Sequence, residues 1–380
     1  YGGNTSQNNS GYVGAAGTVF VQMPGNVGTL TIDNNAMASG RYSELPTGDY
    51  DSAFDEVRLV NKGKLRINSS STFTLTGISG DGSGTELRVE GPLTAPASLS
   101  LSSNTLVLGP LSTAPGLAAL ELGYGGTLEL NTTTQVQVTN LNSLTIRNGG
   151  VLTHGGNYNT EQNKLNLTLA SLEIDAGGKI DVTGKGYSAQ QGPGAQVCGY
   201  AGGSYGGAAA TNGNNCSGPT YGSYSAPVNL GSGGGNVPGG GAVLLNVAGS
   251  LRVDGSIAAD GASNWSTGSG GSVYIQAGSL TGSGVISASG GACSDGGCGG
   301  GGRVAVITST SGFAGSLRAY GGNTSQNNSG YVGAAGTVFV QAPGALGTLI
   351  VNNNAMASGR YTVLPSGDYR SAFDAVNLTN

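Results

Sequence analysis

Charge is what this chain has least of. Of 380 residues only 9% are charged, with 15 Lys plus Arg against 20 Asp plus Glu. Without a basic field neither nucleic acid nor an anionic membrane finds an electrostatic hold, so water must be met through Asn, Ser, Thr and Gly. No run reaches the roughly eighteen apolar residues that a membrane-spanning helix needs. Helix of any kind has little support, because Gly, Asn, Thr and Ser punctuate nearly every ten-residue window. Only the stretch Ser43 to Val60 leaves room for a short helical turn. Histidine occurs once, His154, and none of the four cysteines forms a CxxC pair, which argues against a zinc site. No secretory leader precedes Tyr1, so a processed product or an internal piece is expected.

What the chain has in excess is glycine, 73 residues, among which a 37% hydrophobic content is thinly spread. That dilution argues against an ordinary compact globule. Disorder is equally unsuitable, since Val, Leu and Ile recur in short alternating runs throughout. The strongest signal is a long repeat. Residues 1–61 return as residues 320–380, an offset of 319, with 13 substitutions in 61 positions and Tyr1 to Gln22 copied unchanged as Tyr320 to Gln341. A head-to-tail tandem array accounts for such a pattern, and a single-domain enzyme does not.

A shorter repeat lies inside the unit. AVLLNVAGSLRVDGSIAADG from Ala242, SVYIQAGSLTGSGVISASGG from Ser272, RVAVITSTSGFAGSLRAYGG from Arg303 and TVFVQAPGALGTLIVNN from Thr337 start 30, 31 and 34 residues apart. Each holds two or three strand-like runs with apolar residues at alternate positions, separated by AG, DG or GSG turns. Leu165 to Gly184 fits the same plan. Upstream, LRIN at Leu65, LRVE at Leu87, LVLG at Leu106, LELN at Leu128 and LTIR at Leu144 suggest one rung per repeat, mostly 16 to 22 residues apart. The expected fold is all-β, a parallel β-helix solenoid with three faces per coil and long glycine-rich loops projecting from it. Its expected divisions are 1–61 as the C-terminal-side part of one 319-residue repeat unit or its start, 62–184 as rungs of shorter spacing, 185–241 as a Gly/Ser/Asn-rich loop insertion, 242–319 as rungs about thirty residues apart, and 320–380 as the start of the next repeat copy. Open sheet ends aggregate unless covered, so continuation into another copy is the natural solution.

The cysteines fall in two local pairs, Cys198 with Cys216 and Cys293 with Cys298, each in a Gly/Ser/Asn-rich loop. Disulfides in an oxidising compartment are the expected reading. Closing the larger loop, of roughly 18 residues, is worth about 3 kcal/mol on the chain-entropy account.

The stretches GGGGRVAVITSTSGFAGSLRAYGG (Gly299 to Gly322), GAAGTVFVQ (Gly333 to Gln341), YGSYSAPVNLGSGGG (Tyr221 to Gly235) and VAGSLRVDGSIAADG (Val247 to Gly261) resemble segments of very large, glycine-rich bacterial surface or secreted repeat proteins. The resemblance covers roughly the second half of the unit and its flanking copies. It implies a surface-exposed or secreted β-helical repeat with an adhesive or fibre-building role.

Parallel β-helices also include polysaccharide lyases and hydrolases, whose chemistry needs carboxylates, or a carboxylate and a base, gathered on one face. Asp175, Asp181, Asp254 and Asp260 stand at or near strand ends, with Lys179 and Lys185 close in sequence. Asp beside a glycine turn is, however, what tight turns select, and His154, in LTHGGN, reads as a solvated turn residue. No catalytic residue is therefore assigned. Calcium is the one cofactor that hard oxygen ligands suggest, with Asp81 in SGDGSG and Asp295 in CSDGGC as its weak candidates. Asn-x-Ser/Thr triplets occur at Asn4, Asn8, Asn68, Asn131, Asn166, Asn215, Asn264, Asn323, Asn327 and Asn377, of which Asn68, Asn131 and Asn264 are the candidate glycan acceptors. The 16 tyrosines and Trp265 suit either sugar contact or a cover over glycine-rich backbone.

These readings lead to a structural repeat of an extracellular or cell-surface fibre whose partners are further copies of itself. An adhesin binding glycans or other cells through its loops is the second expectation, and a polysaccharide-active enzyme the third. Neither nucleic-acid binding nor a membrane-spanning segment is expected.

Overall fold

The computed structural model describes residues 13–45, 53–68, 72–82, 84–196, 199–211, 216–324, 329–364 and 373–379. The chain is all-β, with mostly parallel pairing, and divides into two compact units at Thr153/His154. That boundary falls inside the expected 62–184 division. Among the described residues the one helical element of more than a turn is the short 3-10 segment Gln135–Val138. Within Ser43 to Val60, where a helical turn is expected, residues 46–52 lie outside the described residues, and the remainder holds strands at Ser43–Glu44, Ala53–Phe54 and Glu56–Val60.

In the first unit, Lys64–Ile67, Glu86–Val89, Thr105–Leu108 and Thr127–Leu130 pair in parallel. Their inward residues stack in columns: Leu65, Leu87, Leu106 and Leu128 in one, Ile67, Val89, Leu108 and Leu130 in the next. All eight are buried, because side chains alternate across a strand and one face of each is turned inside. Full burial of such a side chain is worth about 1.5–3 kcal/mol. A second parallel ladder joins Ser98–Leu101, Ala119–Leu122 and Ser143–Ile146. LTIR at Leu144 thus belongs to this second ladder and does not follow LELN, so the single spacing seen in sequence is two interleaved ladders.

In the second unit the first two expected runs of each block merge into one long strand. Ala242–Val253, Ser272–Gly282 and Arg303–Phe313 pair in parallel, with Leu165–Leu169 and Ser171–Ile174 both on the first of them and Thr337–Gln341 on the last. Leu165, Val243, Val273, Val304 and Val338 form one buried column. Lys179–Asp181, Ser256–Ala258, Val285–Ser287 and Ser316–Arg318 form a second parallel ladder of short strands.

Where the sequence suggested projecting loops, the glycine-rich segments instead lie buried against one another. Most described residues between 201 and 211 and between 230 and 241 are buried, as are 266–272 and 296–306. The backbone of 297–302 shows why. Gly297 and Gly300 donate to Tyr200 and Gly203, Cys298 and Gly301 to Tyr331 and Ala334, Gly299 and Gly302 to Gly291 and Ala288, at 2.7–3.4 Å. The direction of bonding returns every third residue, the period of the polyproline II helix. Residues 267–271 repeat it: Thr267 and Gly270 donate to Gly297 and Gly300, Gly268 and Gly271 to Ala262 and Ala259, and Ser269 to Ser232. At its glycine positions a threefold helix so bonded leaves no room for a Cβ, whereas Thr267, Ser269 and Cys298 mark positions where a side chain is accommodated. A Cβ on Gly300 would overlap the Gly207 carbonyl, and one on Gly271 the Gly241 carbonyl. Glycine here serves close approach, not left-handed backbone; none of the glycines in 297–302 has a positive φ.

Gly300→Ala is therefore expected to lower the stability of the chain by about 3 kcal/mol or more, an overpacking cost with no flexible neighbour to absorb it. Gly156→Ala, at an exposed site with open space around it, should change it by less than about 0.5 kcal/mol. Urea denaturation of the two variants checks the contrast; equal midpoints would remove the close-packed glycine account.

Candidate functional site

The four aspartates singled out in sequence are each engaged locally. Asp254 accepts from the Ser283 N–H (3.0 Å) and hydroxyl (3.3 Å) and pairs with Arg252, which also reaches Glu173 and Asp175. The Ser283 amide and Arg252 hold the Asp254 carboxyl below its usual range. Asp181 accepts from the Thr183 N–H at 3.0 Å, which is an Asx turn on its own backbone. Asp260 accepts from the Ser287 hydroxyl and the Ser289 N–H, both 2.5 Å. Burial pushes its carboxyl up despite those bonds. Lys179 is exposed and Lys185 half-buried.

His154 corrects the expectation of a solvated turn. It is fully buried at the end of the strand Val151–His154. Its Nε2 accepts from the Ala242 N–H at 3.3 Å, which leaves Nδ1 as the protonated nitrogen, donating to the Gly155 carbonyl at 2.7 Å. Burial first, then nearby Lys185 and Lys164, lower its pKa to about 4. The ring is a neutral bracket between two backbone segments. A Cβ on Gly241 would strike it, so glycine is fixed there as well.

Of the calcium candidates, Asp81 accepts from the Asn61 N–H at 2.6 Å, and Asp295 is exposed in the loop between Cys293 and Cys298. Among the described residues no group of three or more His, Cys, Asp or Glu side chains is placed to hold a metal ion. Asn68 and Asn264 are exposed. Asn131 is half-buried, its amide donating to Glu129 at 3.2 Å. Asn4, Asn8, Asn215 and Asn327 lie outside the described residues. Cys293 and Cys298 are bonded, Cα–Cα 4.9 Å. Cys216 is also disulfide-bonded, while Cys198, its expected partner, lies outside the described residues.

A buried polar cluster in the second unit escaped the sequence. Arg303, fully buried, donates from Nε to the Tyr221 carbonyl (3.0 Å), from Nη1 to the Thr337 hydroxyl (3.1 Å) and from Nη2 to the Val363 carbonyl (3.2 Å). Its guanidinium lies 5.6 Å from the centre of the Tyr205 ring, a cation–π contact. The Tyr205 hydroxyl meets Ser272 at 2.7 Å, and Tyr221 donates to the Leu230 carbonyl at 2.6 Å. Burial pushes Tyr221 well above the ordinary phenol range. Glu161 ties this segment down: it pairs with Lys164 at 2.5 Å and accepts from the Leu230 N–H at 3.2 Å. Burial alone would raise that carboxyl, but Lys164 and the Leu230 amide together hold it below its usual value. Burial, and then Glu161, push Tyr187 up to about 12. The available signal was the position of Arg303 in its block, level with Ala242, Ser272 and Thr337 beside the inward valines. The cluster cross-links glycine segments to strands.

Because the folded-state pKa of His154 lies below the ordinary 6.5, the unfolded chain takes up a proton first as pH falls. Its contribution is complete above about pH 6.5 and is lost progressively towards pH 4, about 3 kcal/mol in all. His154→Gln should make stability flatter between pH 7 and pH 4 than in the unaltered chain; parallel denaturant curves that keep a constant gap would refute the neutral bracket. Non-reducing peptide mapping should recover Cys293 joined to Cys298, and a free thiol at either would contradict the pairing. Comparison with protein-family models, with curated proteins and with solved structures gives no match.

Proposed function

We propose that the chain is a non-catalytic structural segment of a long extracellular or cell-surface fibre, in which successive repeats continue one parallel β-helical coil. The observation that carries this reading is the folding of the two sequence copies. In the first, Thr18–Val21 pairs antiparallel with Thr29–Asp33, which pairs parallel with Glu56–Val60. In the second, Thr337–Gln341, Thr348–Asn352 and Ala375–Thr379 repeat those pairings at the same offset, with Phe20 opposite Leu30 and Phe339 opposite Leu349. Side-chain bonds are reproduced too: Gly28 N–H to Asp55 at 2.8 Å and Gly347 N–H to Asp374 at 2.9 Å, Ser39 to the Val13 carbonyl at 2.8 Å and Ser358 to the Val332 carbonyl at 2.7 Å. A module that takes the same fold in two settings suits an array in which each element touches only its neighbours. The local engagement of Asp175, Asp181, Asp254 and Asp260 supports the absence of glycan cleavage.

The second reading, an adhesin, is favoured by Tyr200, 54% exposed, set edge-on against Trp265 with ring centres 4.5 Å apart. Such a pair suits a sugar face.

Antibodies raised against the chain should label surface fibres of the producing cells under electron microscopy. Label confined to the cell interior would overturn the fibre reading. Incubation with uronate and neutral polysaccharides should release no product, whereas turnover that disappears in Asp254→Asn or Asp181→Asn would replace this reading with an enzymatic one.

A further inference from the structure

The two copies share most of their sequence but not an environment. Thr18–Val21 lies at the edge of its sheet, and all four residues are exposed, Val19 58%, Phe20 48% and Val21 58%. The identical residues Thr337 to Val340 are paired on that same side, in parallel, with Arg303–Phe313, and Val338 and Phe339 are 4% and 0% exposed. The aromatic neighbours differ in step. Phe20 leans directly on Phe54, ring centres 5.9 Å apart. Their counterparts Phe339 and Phe373 each pack on Tyr224, at 5.4 and 5.7 Å. Tyr224 is joined there by Ala305 and Leu349, with Tyr274 and Leu364 packed against them.

Three further contacts made by the second copy have their receiving groups in place in the first. Arg303 donates to the Thr337 hydroxyl and the Val363 carbonyl, whose counterparts are the Thr18 hydroxyl and the Glu44 carbonyl. Gly207 forms an isolated antiparallel bridge with Thr362, whose counterpart is Ser43. None of the 13 substitutions between the copies falls before position 23, so the edge strand offers an incoming partner the same side chains in both.

The geometry points to Thr18–Val21 as the seat of a second copy of the strand Arg303–Ile307, delivered by a preceding repeat together with that repeat's Tyr224 and Gly207. Resting on the structural-repeat reading, this names which surfaces meet at the junction. The incoming Tyr224 enters between Phe20 and Phe54, and the incoming Arg303 binds Thr18 and the Glu44 carbonyl. An exposed strand edge with apolar side chains is thereby covered by its own kind, which removes a site of uncontrolled pairing. The partner is one defined strand, so the register of the array follows from the sequence.

The test is a polypeptide in which residues 1–319 are placed directly ahead of the complete chain, compared with the chain alone by hydrogen exchange. Amides of Thr18–Val21 in the downstream copy should exchange slower by at least on the order of 100-fold than in the single chain, reaching the rates of Thr337–Gln341. Val19→Asp in the downstream copy should abolish that protection while leaving the unfolding midpoint of the single chain unchanged. Junction amides that exchange as in the single chain while Thr337–Gln341 stays slow would overturn the proposal, as would protection that survives Val19→Asp. An intracellular location would sink the fibre reading and leave this junction standing; an unprotected junction in a genuine surface fibre would do the reverse.

Discussion

The constraint on which the second unit depends is the backbone-to-backbone contact between its glycine segments. A threefold extended helix presents N–H and C=O groups in three directions, and 297–302 uses all three, towards 200–203, 331–334 and 288–291. Buried backbone polar groups must be paired, and here they are paired without sheet or α-helix. The spacing this requires leaves no volume for a Cβ at Gly297 and Gly299 to Gly302, so glycine at those positions follows from geometry. The parallel strands then fix where the segments run. Gly271 and Gly302 stand immediately before Ser272 and Arg303, and each comes close to the carbonyl of its counterpart one repeat earlier.

Polar side chains act as fasteners between these two kinds of structure. Arg303 joins a strand to the Tyr221 carbonyl and to Thr337, and His154 joins Gly155 to Ala242. Both are fully buried, and in each the hydrogen bonds offset the loss of water. Burial keeps the His154 ring neutral at physiological pH, and both side chains spend their polar atoms on structural hydrogen bonds. A chain with so little charge places its rare ionisable groups where geometry needs them. The same economy holds for Glu161 with Lys164, and for Arg252 with Glu173, Asp175 and Asp254.

The alternating runs were enough to place strands and parallel pairing, because apolar residues at every second position leave one buried face and a shift by one residue would turn them outward. The Leu and Val columns at Leu87, Leu106 and Leu128 or Val243, Val273 and Val304 were legible in this way. The placement of Leu144 was not, since periodicity alone does not say which of two faces a run joins. The glycine segments read as loops because they carry no apolar alternation at all. Their burial is encoded in what they lack, and a missing side chain has the same signature in a flexible linker as in a close-packed bundle.

By itself the sequence determined the all-β class, the inward and outward alternation along the strands and the existence of two copies of one module, since each follows from near-neighbour pattern or direct identity. Only the tertiary structure decided that residues 201–211 and 230–241 are interior, that His154 and Arg303 are buried fasteners, and that the same TVFV strand is covered in one copy and bare in the other. Those facts depend on which segments, sixty or more residues apart in several cases, come within hydrogen-bonding distance. Such encounters are set by the packing of the whole unit, which no window of the chain contains.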